Sequence, residues 1–306
     1  MTFPFPFFHI SAAVAALKKA IFGYGYNGSN TAITNLVSST GVVASDTTGV
    51  GTARSVLAAA SYGGDKGIFG YGYTGSIVSI SNLVSNTGVV ATDTAGVGTV
   101  RYGPAASGYG TDKAIFGYGI SSFSPATYVS ITNLVSNAGV VASDTTGVGT
   151  ARMVLAACGY GADKAIFGYG NNGPYVSMTN LVSNTGVVST DTTGVGTVRS
   201  GLSATSYGSD KGIFGYGSYS TTTYSMTNLV SNTGVVATDT AGVGTVRWGA
   251  AASQYGTDTA LFGYGNGSSY GSYLSITNLI SNTGVVASDT TGVGTARYTP
   301  GATTYG

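Results

Sequence analysis

The chain has 306 residues, a formal net charge of +1 and only 8% charged residues, so it carries no electrostatic footprint for nucleic acid or an anionic membrane. With 50 Gly, 6 Pro and 42% hydrophobic residues, the composition excludes disorder and points to short strands joined by tight turns. A single Cys excludes an internal disulfide framework, and no apolar run reaches the roughly 18 residues of a membrane-spanning helix. So few charges leave little to keep copies apart, and the chain is expected to tolerate or require assembly.

In chain order, residues 1–20 come first as an apolar arm, opening Met-Thr-Phe-Pro-Phe-Pro-Phe-Phe-His-Ile without the basic start of a secretory signal. Its Phe3, Phe5, Phe7 and Phe8 are candidate anchors to other components of an assembly. A unit of roughly 47 residues then recurs from Ile21, Ile68, Ile115, Ile166, Ile213 and Leu261. Such a period marks a modular array whose units bury their apolar faces against one another.

The second unit serves as the type. An Ala-rich run over 54–62 leads into a Gly-Gly-Asp turn, and residues 66–71, Lys-Gly-Ile-Phe-Gly-Tyr, form a second run. A polar loop follows, then an alternating strand over 78–84, a Ser-Asn-Thr-Gly turn, and a last strand over 89–92. Four short antiparallel strands per unit predict an all-β fold, a six-bladed β-propeller. Phe69 and Tyr71, two residues apart, are expected on one side of their strand, stacked between neighbouring blades.

An Arg followed by an Ala-rich strand and Asp-Lys-x-Ile-Phe-Gly-x-Gly resembles the kelch repeat over 54–296, although Gly-Tyr-Gly replaces the Gly-Gly pair and the late Trp is missing. The near-identical copies of Ile-Phe-Gly-Tyr-Gly and Asn-Leu-Val-Ser-Asn-Thr-Gly-Val-Val more narrowly resemble repeat proteins of bacteriophages and other viruses of aquatic microbes. That resemblance implies a virion location and a part in host contact.

Two segments compete for the innermost strand of the first blade. Residues 297–306 carry the Arg and Tyr-Gly signature, whereas the N-terminal stretch over 7–16 lacks both. The expected blades are therefore 21–53 with 297–306, then 54–100, 101–151, 152–198, 199–246 and 247–296, the C-terminal strand closing the ring. The rival assignment keeps the N-terminal strand in the ring and frees the C-terminus.

The charges recur in slots. Arg54, Arg101, Arg152, Arg199, Arg247 and Arg297 share one, and Asp46, Asp93, Asp144, Asp191, Asp239 and Asp289 share another, eight residues earlier. A third is the Asp-Lys turn. Equivalent slots give equivalent environments, whereas acid–base catalysis needs carboxyls in environments that differ. A structural Asp–Arg pair and a turn-capping Asp in each blade are expected, with no catalytic residue, metal or cofactor. His9 is the only His, so neither a His-based metal site nor a Ser–His triad can form within one chain. Cys158, in a slot of small residues, is expected to be buried and inert.

Where the copies differ is the sharpest clue. The span from Asn35 to Arg54 is 19 residues in all six units, and that from Arg54 to Ile68 is 14 wherever it recurs. All variation in length falls in the loop between the second and third strands; a second variable slot follows the Arg. Both lie on one face, with candidate binding residues Tyr26, Tyr73, Tyr102, Phe123, Tyr128, Met153, Tyr175, Tyr219, Tyr224, Trp248, Tyr270, Tyr273 and Tyr298. Unconstrained drift explains variable loops, but not variation on one face alone. Rigid Tyr and Trp among adaptable Ser, Asn and Gly suit recognition of a glycan or protein. The expected function is a non-enzymatic viral structural or adhesion protein; the alternative is a soluble kelch-like lectin or adaptor, extracellular or cytoplasmic.

Overall fold

A computed structural model describes residues 17–306, and they are all-β. The expectations for Phe3, Phe5, Phe7, Phe8 and His9, and for a strand over 7–16, lie outside the described residues. The strands are β1 (Lys19–Gly23), β2 (Thr34–Val37), β3 (Ala58–Tyr62), β4 (Lys66–Tyr73), β5 (Ile77–Val84), β6 (Ala105–Tyr109), β7 (Lys113–Phe123), β8 (Ala126–Val135), β9 (Ala156–Tyr160) and β10 (Lys164–Gly168). They continue as β11 (Thr179–Val182), β12 (Ser203–Tyr207), β13 (Lys211–Gly215), β14 (Ser218–Tyr219), β15 (Thr222–Thr223), β16 (Thr227–Val230), β17 (Ala251–Tyr255), β18 (Thr259–Asn266), β19 (Tyr273–Ile280) and β20 (Gly301–Tyr305).

Six three-stranded antiparallel sheets form, one per repeat: β20-β1-β2, β3-β4-β5, β6-β7-β8, β9-β10-β11, β12-β13-β16 and β17-β18-β19. A small hairpin, β14-β15, sits in one of the long loops. None of the sheets closes on itself. The first is built from both halves of the chain, β20 pairing with β1 from Lys19↔Tyr305 to Gly23↔Gly301.

The fourth strand of each unit is not continuous. Residues 90 and 94 meet β5 only through isolated bridges, Val84↔Val90 and Ser81↔Thr94, and the other units repeat this. The reason is a side chain in the ladder. Asn82 Nδ2 donates to Ala91 O at 3.0 Å, and the chain bulges around the amide before pairing resumes.

The Gly-Tyr-Gly phrase also departs from expectation. Register shifts between Gly70 and Gly72 because Tyr71 is an extra residue at φ 65°, a β-bulge. The bulge reverses the side chain. Phe69 packs with Ile21 and Tyr24 of the preceding unit, whereas Tyr71 packs with Ala114 and Phe116 of the following one. The two rings therefore serve opposite interfaces, each of which joins a Tyr to the next unit's Phe edge-on. The centroid distance is 5.2 Å for Tyr24–Phe69 and 4.9 Å for Tyr264–Phe22, where the last unit meets the first. Burial of each ring contributes roughly 1.5–3 kcal/mol, and the edge-on contact about 1 more.

The inner strands β3, β6, β9, β12, β17 and β20 each lie beside the next, and β20 touches β3 as well as β17. Two series of backbone hydrogen bonds link successive units, the first donating forward along the chain and the second backward. At one end of the strands Gly63 N donates to Asp112 O and Gly110 N to Asp163 O, and the series returns through Gly256 N to Lys18 O and Gly306 N to Asp65 O. At the other end Val56, Gly103, Val154, Gly201, Gly249 and Thr299 each donate to the carbonyl of the one before, and Val56 donates to Thr299 O, all at 2.6–3.2 Å. These six residues have φ of +50 to +64°, which turns both N–H and C=O along the series.

The first Gly of Gly-Tyr-Gly is a contact, not a hinge. A Cβ on Gly117 would stand 2.8 Å from Phe167 Cζ, inside the aromatic interface. Gly117→Ala is therefore expected to destabilise by about 1–3 kcal/mol. Urea unfolding with an unchanged midpoint would contradict this packing.

Candidate functional site

Each Arg of the repeat is fully buried; Arg54, Arg152, Arg199 and Arg297 each join three stretches of chain, whereas Nε of Arg101 and of Arg247 has no acceptor among the described residues. Arg54 donates from Nε to Tyr71 O at 3.0 Å, from Nη1 to Thr52 O at 3.2 Å and from Nη2 to Asn82 Oδ1 at 2.7 Å. Its guanidinium lies 4.2 Å from the centroid of Tyr24, a ring of the preceding unit. Arg101, Arg152, Arg199, Arg247 and Arg297 stack likewise on Tyr71, Tyr118, Tyr169, Tyr216 and Tyr264. Burial lowers the Arg54 pKa from its ordinary value, and a guanidinium keeps its charge in proteins.

The carboxylate belonging to each Arg is not the one eight residues earlier. Asp46 instead accepts from Thr295 N, in the segment that leads to Arg297, while Arg54 faces Asp93, 4.0 Å away. Arg199–Asp239 and Arg247–Asp289 are as long, at 3.8 and 3.9 Å. Asn82 stands between the charges, giving its Oδ1 to Arg54 and its Nδ2 to Asp93 Oδ1 at 2.9 Å. Asp93 is also held by Thr52 N at 3.0 Å, so the network crosses from one unit to the next. Desolvation pulls the Asp93 pKa up, but the hydrogen bonds from Thr52 and Asn82, with the Arg54 charge, more than offset it and leave it below 3.8. Asp46, Asp144, Asp191, Asp239 and Asp289 shift in the same direction for the same causes.

The six asparagines that recur in the third strand, Asn35, Asn82, Asn133, Asn180, Asn228 and Asn278, are all buried and were not among the sequence candidates. Strand alternation places Asn82 on the side of Ile80 and Val84, where an apolar side chain is expected. The available signal was the unbroken repetition of Asn in a strand, where its propensity is poor.

The variable residues lie at the end of the strands away from the Asp-Lys turns. Isolated bridges tie the two variable slots together: Ser55↔Tyr73, Tyr102↔Ile120, Met153↔Asn171, Ser200↔Ser218, Trp248↔Asn266 and Tyr26↔Tyr298. Three aromatic groups result. Trp248 meets Tyr298 edge-on at 5.0 Å; Tyr298 stacks on Tyr273 at 5.5 Å, and Tyr26 touches both. Tyr73, Tyr102 and Phe123 form a second group at 5.1–6.0 Å, and Tyr175–Tyr219 a third at 5.1 Å. Tyr270, in the same loop as Tyr273, is 76% exposed. Burial, then Tyr270, raises the Tyr298 pKa, so that hydroxyl stays protonated. Tyr128, Met153 and Tyr224 are half-buried and join no ring pair.

No charged side chain occurs in any of the six variable loops. Elsewhere, Cys158 is buried, and its thiol is pushed up to about 12 by desolvation, which leaves it unreactive at neutral pH. Among the described residues no group of three or more His, Cys, Asp or Glu is arranged to hold a metal. The Asp carboxylates of the repeat are committed to structural hydrogen bonds.

Two outcomes follow from the Arg–Asn–Asp network. Asn180→Ala, which strips Arg152 Nη2 of its acceptor, is expected to cost about 2–4 kcal/mol, and Arg152→Met with Asn180→Leu less than the sum of the single changes; chemical denaturation of the four proteins checks both. The second is pH dependence. With folded pKa values below the unfolded one, the six carboxylates stabilise the fold fully above about pH 4, and that stability falls away as pH drops through the folded values. The unfolding temperature should be flat from pH 7 to about 5 and drop steeply below 4.

No protein-family model matches the chain, and no curated protein matches it.

Proposed function

We propose that this chain is a six-bladed β-propeller scaffold that carries no catalytic chemistry and recognises a partner through its aromatic, charge-free face. The six sheets would be the blades, with residues 89–94 and their counterparts as irregular outer strands. Support for a ring comes from the inner strands, each beside the next with the last beside the first, and from two hydrogen-bond series that return to their starting unit. An arrangement of this kind leaves the inner strands with short edges that face one another.

The observation that carries the functional reading is the placement of variation. One end of the strands repeats the same turns, whereas the other gathers Trp248, Tyr270, Tyr273 and Tyr298 among Ser, Asn and Gly. Half-buried rings with neighbouring hydroxyls and amides are the chemistry of a rigid recognition surface. The setting proposed is a virus particle, whose repeat proteins the repeat phrase resembles, with host-surface glycan or protein as the partner and the N-terminal arm, expected over 1–20, attached to other particle components.

Binding to a panel of immobilised glycans and host-surface proteins tests this reading. Tyr270→Ala and Trp248→Ala are expected to weaken binding at least tenfold, the first without change in unfolding temperature, while Val187→Ser at the opposite end leaves it intact. Binding that survives both aromatic changes refutes the assigned face. Light scattering of the full chain beside one lacking residues 1–16 tests the attachment: a defined oligomer reduced to a folded monomer supports it, and two equal monomers favour a soluble lectin or adaptor.

A further inference from the structure

Two departures from the repeat meet at one point. Where the other inner strands carry Ser61, Gly108, Gly159, Ser206 and Thr304, β17 carries Gln254. Where the other turns carry an Asp, the first unit carries Lys18, whose backbone keeps the shared pattern by accepting from Gly256 N at 2.8 Å. The two odd side chains touch: Lys18 Nζ donates to Gln254 Oε1 at 3.4 Å.

They do so at the mouth of a cavity of about 160 Å³ between the inner strands, on the side away from the aromatic face, with Ser61, Ser107, Ser206 and Thr304 also in its wall. The lysines of the neighbouring turns are neutralised by their own Asp residues: Lys66 by Asp65 at 2.6 Å, Lys113 by Asp112 at 3.2 Å, Lys164 by Asp163 at 3.1 Å and Lys211 by Asp210 at 2.9 Å. Lys18 has no such partner among the described residues, although it is half-buried and its pKa is lowered by that burial. An anion in the cavity would supply the missing countercharge. Gln254 turns its carbonyl oxygen to Lys18, which leaves its amide nitrogen without an acceptor among the described residues. An ammonium and an amide N–H side by side match the two oxygens of a carboxylate.

We propose that this mouth binds a small hydroxylated carboxylate, one oxygen on Lys18 and the other on Gln254, its hydroxyls facing the Ser and Thr side chains. The site is separate from the aromatic face and does not depend on the function assigned to that face. Either can fail alone.

The test titrates the full chain with glucuronate, glucose and inorganic phosphate, followed by calorimetry and by the shift in unfolding temperature. Saturable binding of glucuronate, weaker binding of phosphate and none of glucose are expected. K18Q and Q254S should each weaken glucuronate binding at least tenfold, and raising the salt to about 1 M should weaken it in the native chain. Q254S installs the residue that Ser61 and Ser206 carry in neighbouring strands, so it keeps a folded protein in the comparison. Absence of glucuronate binding, or equal binding by both variants, overturns the proposal. Tighter binding of phosphate than of glucuronate overturns the carboxylate assignment. Lower unfolding temperatures in the variants with no glucuronate binding by any protein would make the pair a structural tether and likewise overturn it.

Discussion

Six guanidinium groups without exposed surface set the terms for the chain around them. Removing such a charge from water costs several kcal/mol unless every donor finds an acceptor, and a carboxylate in direct contact is the usual remedy. Here the carboxylate stands 3.8–4.0 Å off in three of the units, and neutral groups take the near positions: a backbone carbonyl of the bulge, an Asn amide and the face of a Tyr ring. Each of these demands something of the backbone. Tyr71 must leave the regular ladder to expose its carbonyl, and it does so at φ 65°. The Asn must sit inside a strand with its side chain buried, which breaks the fourth strand into bridges.

The strain is repeated along with its remedy. Non-glycine residues in the left-handed region cost of order 1–3 kcal/mol each, and the same Tyr conformation occurs in every unit. What offsets it is the ring beneath the following Arg and beside the following Phe, so each unit's strained residue is stabilised by its neighbour. Because Thr52 reaches Asp93 and Thr295 reaches Asp46, the same dependence links the last unit to the first. The variable loops begin just beyond the bulge, where the ladder is already interrupted. Changes of length there leave the strand pairing below the bulge in place, but they reach the Arg network: in the units with the two longest loops, Arg101 and Arg247 lack the Nε bond to the bulge carbonyl that the other four make.

Much of this was legible in the repeat itself. The period, the all-β class, the second and third strands and the pairing of the C-terminal strand with β1 follow from alternation and from the Arg signature at 297. Three features were not. Alternation carries Tyr71 to the same side as Phe69, because a bulge adds a residue that no two-residue period can register. Proximity in sequence suggests Asp46 for Arg54, whereas strand order brings Asp93 there from 39 positions downstream (93 minus 54). Asn82 falls in the apolar phase of its strand, with Ile80 and Val84, but strand patterning takes polarity as a sign of exposure, and a buried hydrogen-bonded amide is the exception to that rule. On the aromatic face the residues could be named but not their grouping, which depends on which loops share a rim.

The pairing of β20 with β1 has a consequence of its own. Gly306 and Lys18 flank the place where each of the other units carries an unbroken Tyr-Gly-x-Asp turn, and both already make that turn's bonds to their neighbours. The opening in the chain is thus interchangeable with five closed positions of the same geometry. Joining 306 to 17 through a short linker and cutting at Gly64 instead would produce a circular permutant with the same contacts in a different order. For the described residues, the order of the six units along the chain is one of several that would keep the same contacts.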